Sequence, residues 1–284
     1  SVAFAFKTGL FNIGASGQML IGGFCATALV LSVSWPRPIL LTSAVLLALL
    51  GGALWGTIPG ALKARFNVNE VVATIMTNWI AYWLVYYAVP AYFKGEFLET
   101  ESRKIPDAAS LRVPGLSNFF HGSFINLGIF IAIAAVIIIA YILNRTTMGY
   151  ELKAVGLNRY AAEYAGINVN RNIILSMTIA GALAGLAGAT VYIGNASNMQ
   201  IGVLPSAGMD GIAVSLLAVN SPVGVLFSAI FFGILNSGKG FMNAMTKIPP
   251  EIADTIIATV IYFAATSVMI ERALDWFKHR KERV

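Results

Sequence analysis

Apolar residues run through this chain in long blocks separated by short polar connectors. A helix needs about 18–20 apolar residues to cross a bilayer core. Blocks near that length cover Gly14–Ser34, Ile39–Leu62, Val71–Val89, Ser123–Leu143, Ile173–Asn195, Val223–Leu235 with its flanks, and Ile252–Ile270. Between the fifth and sixth lies "SAGMDGIAVSLLAVN", Ser206–Asn220. It is short for a full crossing, and a half-helix there needs protein to cover its ends. The pattern predicts an all-α polytopic membrane bundle of about eight segments.

Composition points the same way. Of 284 residues, 57% are hydrophobic and 11% charged, with a mean hydropathy of +0.75. One soluble core cannot hide that much apolar surface, so lipid is the expected solvent. A net charge of +6 does not indicate nucleic acid, because the cations sit in connectors and form no stripe. Cys25 is the only cysteine, which excludes an internal disulfide. The chain opens "SVAFAFKTGL" without an initiator methionine, and Lys7 interrupts any signal-peptide core. The expectation is a start further upstream, with one or two more membrane helices.

Lysine and arginine set the orientation. With the polar stretch 145–172 in the cytoplasm, Arg145, Lys153, Arg159 and Arg171 are inside. Counting spans places Lys63, Arg65 and the basic tail 271–284 inside as well, provided Ser206–Asn220 crosses. The segment 91–122 becomes an extracellular loop, its four cations balanced by Glu96, Glu99, Glu101 and Asp107. The whole chain, 1–284, reads as a single transmembrane domain. Glycines four apart in "GGALWGTIPG" and on one face of "GALAGLAG" let helices approach closely where lipid offers no hydrophobic drive.

The polar island "GYELKAVGLNRYAAEYAGINVNR", Gly149–Arg171, specifies a short helix. Asn158 is a good N-cap and Gly166 a good left-handed terminator. Tyr160, Ala161 and Tyr164 share a face. So short a helix is marginal alone and needs a dock. One reading is a plug for a cytoplasmic partner protein, using Asn158, Arg159, Tyr160, Glu163, Tyr164 and Gly166. The other is a helix lying on headgroups, with Arg159 toward phosphates.

Polar groups inside the membrane are costly and need a role. Asn12, Ser16 and Gln18 surround the glycines of "FNIGASGQMLIGG". They either line a path at a broken helix or cap and brace helices. Asn78 lies deep in a span beside Trp79, Tyr82 and Trp83. An amide within aromatic walls can hold a nucleobase, whereas the plainer reading is an interfacial belt and a structural amide. Asp210 bonds a substrate hydroxyl or caps the helix it opens. Glu70, Glu251 and Asp254 read as first-turn helix acids. His121 and His279, the only histidines, fall on opposite sides of the membrane in this topology, so no metal or proton-relay pair is expected.

"ELKAVGLNRYAAEYAGI" resembles the coupling segment of ABC importer permeases of the branched-chain amino acid, ribose and nucleoside superfamily. "FNIGASGQMLIGG" (Phe11–Gly23) and "GMDGIAVSLLAVNSPVG" (Gly208–Gly224) resemble two further signatures of that group, in matching order from about Gly9 to Ile270. The loop "ESRKIPDAASLRVPGL" is similar to the branch paired with basic-membrane-protein-type lipoproteins, which import nucleosides. The resemblance implies a type II importer permease fold in a bacterial plasma membrane. It implies an ATP-binding subunit, a second related permease and an extracellular substrate-binding lipoprotein as partners. The 145–172 stretch becomes the coupling segment, and the path falls to Asn12, Ser16, Gln18, Asn78, Trp79 and Asp210. The group usually carries an acid where this chain has Ser16. No Gly-Lys-Ser/Thr run occurs, so the chain needs no cofactor of its own and ATP with magnesium belongs to the partner.

The expected function is therefore nucleoside translocation by alternating access, with no catalytic residue in this chain. A simple-sugar or branched-chain amino acid permease of the same fold is the alternative. An ion-coupled transporter would require an intramembrane acid, for which Asp210 is the candidate.

Overall fold

A computed structural model describes residues 1–95, 98–119, 125–246, 249, 251–260, 262, 263 and 266. The tail 271–284, His121 and residues 261, 264, 265 and 267–270 of the last apolar block lie outside these residues. The chain divides into two units, Ser1–Ile212 and Ala213–Val284.

The first unit opens with a short helix, α1 (Val2–Lys7), and a connector that carries the first glycine-rich signature. Three long helices follow: α2 (Ala15–Ser32), α3 (Arg37–Phe66) and α4 (Glu70–Phe93). Pro38 starts α3 from within its first turn, where no N–H is needed. Asn69 starts α4 by accepting from Val71 N at 2.9 Å. After the 94–113 segment and a one-turn-scale α5 (Pro114–Phe119) come α6 (Gly128–Arg145), α7 (Thr147–Leu157), α8 (Arg159–Tyr164) and α9 (Val169–Ala189). α9 runs on through a π-helical turn, Thr190–Asn195, and α10 (Ala207–Leu217) spans the boundary between the units.

The core is three helices held backbone to backbone. A methyl placed on Gly52 of α3 would lie 2.7 Å from Cα of Gly185 in α9. One on Gly22 of α2 would lie 2.9 Å from the Ala48 carbonyl of α3. The glycine spacing seen in the sequence is thus an interface, and small residues are what let these backbones meet. Thr57 and Thr178 share a 2.7 Å hydrogen bond across α3 and α9. α2 is the central element, with 67% of its span buried against 11% for α6.

The second unit contains α11 (Pro222–Met245) and a helix at 251–260, packed through Val214, Phe232 and Ile257. α11 is longer than the Val223–Leu235 block. The polar run Asn236–Gly240 hides its continuation, and Lys239 stays within the helix by pairing with Asp254 at 2.6 Å. Among the described residues six helices are long and apolar enough to cross a membrane. α10, at 11 residues, is not.

Candidate functional site

Two features built from sequence-flagged residues stand out. The first is α8. Asn158 accepts from Tyr160 N at 3.0 Å and Ala161 N at 3.1 Å, closing its N-terminus. At the other end Gly166 takes φ +81°, Gly166 N donates to Glu163 O and Ile167 N to Ala162 O, at 2.9 and 3.0 Å. That is the Schellman pattern, open to glycine because no Cβ opposes the left-handed turn. Ala162 is the buried residue of this helix. Leu157, Tyr160 and Tyr164 are 89%, 84% and 96% exposed. The two rings leave a large uncovered face on α8.

α7, which leads into α8, packs against α1, α6 and α9. Asn172 of α9 donates to Glu151 of α7 at 2.9 Å. Lys153 of α7 donates to Asn144 of α6 at 2.9 Å. Gly156 of α7 abuts the turn ending α1, and Gly9 there has φ +71°. Ser176 of α9 donates to Thr8 of the same turn at 2.8 Å. Lys63, near the end of α3, pairs with Glu70 at the start of α4 at 3.0 Å, and Arg159 lies within electrostatic reach of that carboxylate. Glu70 is thus a first-turn helix acid that also joins two helices.

The second feature is a buried polar lock at the break between α1 and α2. Asn12 and Gln18 exchange hydrogen bonds through their amides, at 3.0 and 3.3 Å. Asn12 Oδ1 also accepts from Gly14 N at 3.0 Å. Asn78 of α4 accepts from Gly17 N at 2.8 Å and donates to the Ile13 carbonyl at 3.0 Å. Ser16 donates to the Pro205 carbonyl at 2.9 Å. Asn12, Ser16, Gln18 and Asn78 are all buried, so each bond replaces one that water would otherwise make. A methyl on Gly208 would lie 2.6 Å from Cα of Ser16, which brings the two glycine-rich signatures into backbone contact.

The comparisons settle the class. The family described as "Branched-chain amino acid transport system / permease component" matches residues 1–265. The chain belongs to this family. It is 42% identical over 281 residues to the guanosine ABC transporter permease protein NupP of Bacillus subtilis, covering 99% of this chain and 80% of that one. It is 41% identical to the nucleoside ABC transporter permease protein NupB of Lactococcus lactis, covering 95% and 76%. Identity to the glucose ABC transporter permease protein TsgB13 of Haloferax volcanii is 31%, covering 96% and 73%. No solved structure matches. The protein is an integral membrane transport permease of the ABC class.

Within this permease the predicted path residues do not form one group. Asn12, Ser16, Gln18 and Asn78 meet in the lock, and Asp210 sits in the first turn of α10, two residues beyond Gly208. Trp79 points elsewhere. It is 51% exposed, on the face of α4 with Tyr82, Trp83 and Tyr86, while Asn78 faces α2. Of the two readings of this stretch, an aromatic-walled site or a belt with a structural amide, the geometry puts Asn78 and Trp79 on separate faces, because adjacent helix positions diverge by about 100°. Sequence reading missed the Gly9–Gly156 contact, the role of Pro205 as acceptor, and the Lys239–Asp254 pair. Only the glycines carried a signal for the first of these.

Proposed function

We propose that this permease imports nucleosides as one subunit of an ATP-driven complex. An ATP-binding subunit holds α8 in a surface groove at the cytoplasmic side of this permease. A second, related permease completes the path, and an extracellular lipoprotein delivers substrate. The observation that carries this reading is α8 itself: a six-residue helix closed at both ends, with Tyr160 and Tyr164 exposed, joined to α7, which packs against α1, α6 and α9. Its shortness calls for a dock.

Movement of α8 passes into α7, and through Gly156 into the turn that precedes the polar lock. The lock sits at the hinge between α1 and α2, so rearranging its hydrogen bonds changes how α2 meets α4 and the Pro205 segment. ATP chemistry takes place in the partner, and this chain transmits the motion. Substrate class rests on the likeness to the guanosine and nucleoside permeases, which exceeds that to the glucose permease. The latter favours a simple sugar as the second reading.

Uptake of labelled guanosine and uridine into cells with and without the complex tests the substrate. Uptake that needs this chain and is blocked by unlabelled nucleosides, and not by glucose, ribose or leucine, is expected. Competition by a sugar or leucine, or no nucleoside uptake, would overturn the substrate assignment.

A further inference from the structure

Where α2 ends and α3 begins, a cavity of about 760 Å³ lies between that turn and the 101–108 segment. Its wall includes the buried side chains of Val30 and Leu40 together with the polar Ser102, Ser197 and Asn198. Trp35, 47% exposed, stands at the turn. Arg103 and Lys104 line the opposite side, both exposed. Among the described residues neither cation's side chain has a hydrogen-bonded or ionic partner. The acid in the wall, Glu101, is engaged by the amide of Asn198. The main chain of this segment is fixed: Arg103 N donates to the Phe93 carbonyl at 2.8 Å and Ile105 N to the Ser197 carbonyl at 2.9 Å. The described lining therefore carries two cations against one carboxylate, a net positive charge, and that carboxylate is hydrogen-bonded to Asn198.

The location narrows what fills it. α2 and α3 are both spanning helices, so the turn between them lies at the boundary of hydrocarbon and water, where tryptophan is favoured. Beside the cavity wall at Leu40, α3 exposes Ile39, Leu46 and Leu50 by 55%, 59% and 54%. That surface suits an acyl chain and offers nothing to a dissolved anion. Guanidinium and ammonium groups both recognise phosphate, the first through a planar fork.

We propose that this cavity binds the headgroup of an anionic phospholipid. Arg103 and Lys104 hold the phosphate, Trp35 covers the glycerol region, and an acyl chain follows the outward face of α3. The site is independent of the transported substrate.

The test uses the complete transporter, purified in detergent and exchanged into mixtures of phosphatidylglycerol and phosphatidylcholine, with bound lipid counted by native mass spectrometry. The wild type is expected to retain phosphatidylglycerol preferentially. R103Q/K104Q should weaken that preference by about five-fold for each charge removed, the order expected for a basic residue at an anionic lipid surface. R103K/K104R should keep it, which separates charge from disturbance of the segment. Equal retention of both lipids by the wild type would overturn the proposal, as would an unchanged preference in R103Q/K104Q or a parallel loss of both lipids. Displacement of the bound lipid by millimolar inorganic phosphate would assign the cations to a free anion and reject the lipid. Protection by an added acidic protein would reject it in favour of a protein contact.

Discussion

Gly156 of α7 lies so close to the turn ending α1 that a methyl on it would sit 3.0 Å from Gly9 N. No side chain cushions this contact, so a shift of α7 must be followed by the turn, three residues ahead of Asn12 in the chain. Gly156→Ala inserts a carbon where backbone already sits. Overpacking of that kind costs about 1–3 kcal/mol. The expected outcome is a lower melting temperature for the purified complex and weaker stimulation of ATP hydrolysis by substrate. A variant with both unchanged would show that the contact is not tight and transmits nothing.

Asn78 uses both ends of its amide, accepting from Gly17 N and donating to the Ile13 carbonyl. Asn78→Ala leaves two buried backbone groups unpaired, a loss of about 2 kcal/mol or more. In thermal unfolding this should appear as a fall of several degrees. Asn78→Asp keeps the acceptor and removes the donor. If Asn78→Ala melted like the wild type while losing transport, Asn78 would serve substrate and not structure.

The caps of α8 can be tested apart from its exposed face. Asn158→Ala removes the acceptor for two backbone N–H groups and should destabilise the helix by about 1 kcal/mol. Gly166→Val opposes φ +81° with a β-branched side chain, which the left-handed region disfavours strongly. Both variants should insert and retain the other subunits, yet take up substrate more slowly per ATP hydrolysed. Equal coupling ratios in wild type and variants would remove the argument from helix geometry.

Gly52 and Gly185 carry the α3–α9 crossing. Gly52→Leu cannot be accommodated without separating those helices, because its first carbon already meets Gly185 Cα at 2.7 Å. Loss of folded protein is expected, measured as detergent-soluble monodisperse yield. Normal yield would mean that the two helices are further apart than described.

What the sequence made legible follows from the range of each interaction. Capping of α8 depends on Asn158 and Gly166 and on atoms within a few residues of each, so the local pattern sufficed. The spans were readable because burial in lipid is a property of each block. The lock was different. Asn78 and Gly17 are 61 positions apart, and no periodicity in either stretch records their pairing. Ser16 meets Pro205 from 189 positions away. Trp79 is the neighbour of Asn78 in sequence, and helix geometry turns such neighbours to different faces. Lys239 concealed the length of α11 because its compensation, Asp254, lies on another helix.

The central claim is that the exposed face of α8 seats the ATP-binding subunit. Cysteine cross-linking tests it most directly, with Tyr164→Cys placed in a Cys25→Ala background and the complex assembled from all its subunits. A cross-link from position 164 to the ATP-binding subunit is expected, and none from Ile137→Cys of α6, 63% exposed and near the middle of a span. An assembled, ATP-hydrolysing complex in which position 164 stays free, or links only to lipid, would contradict it.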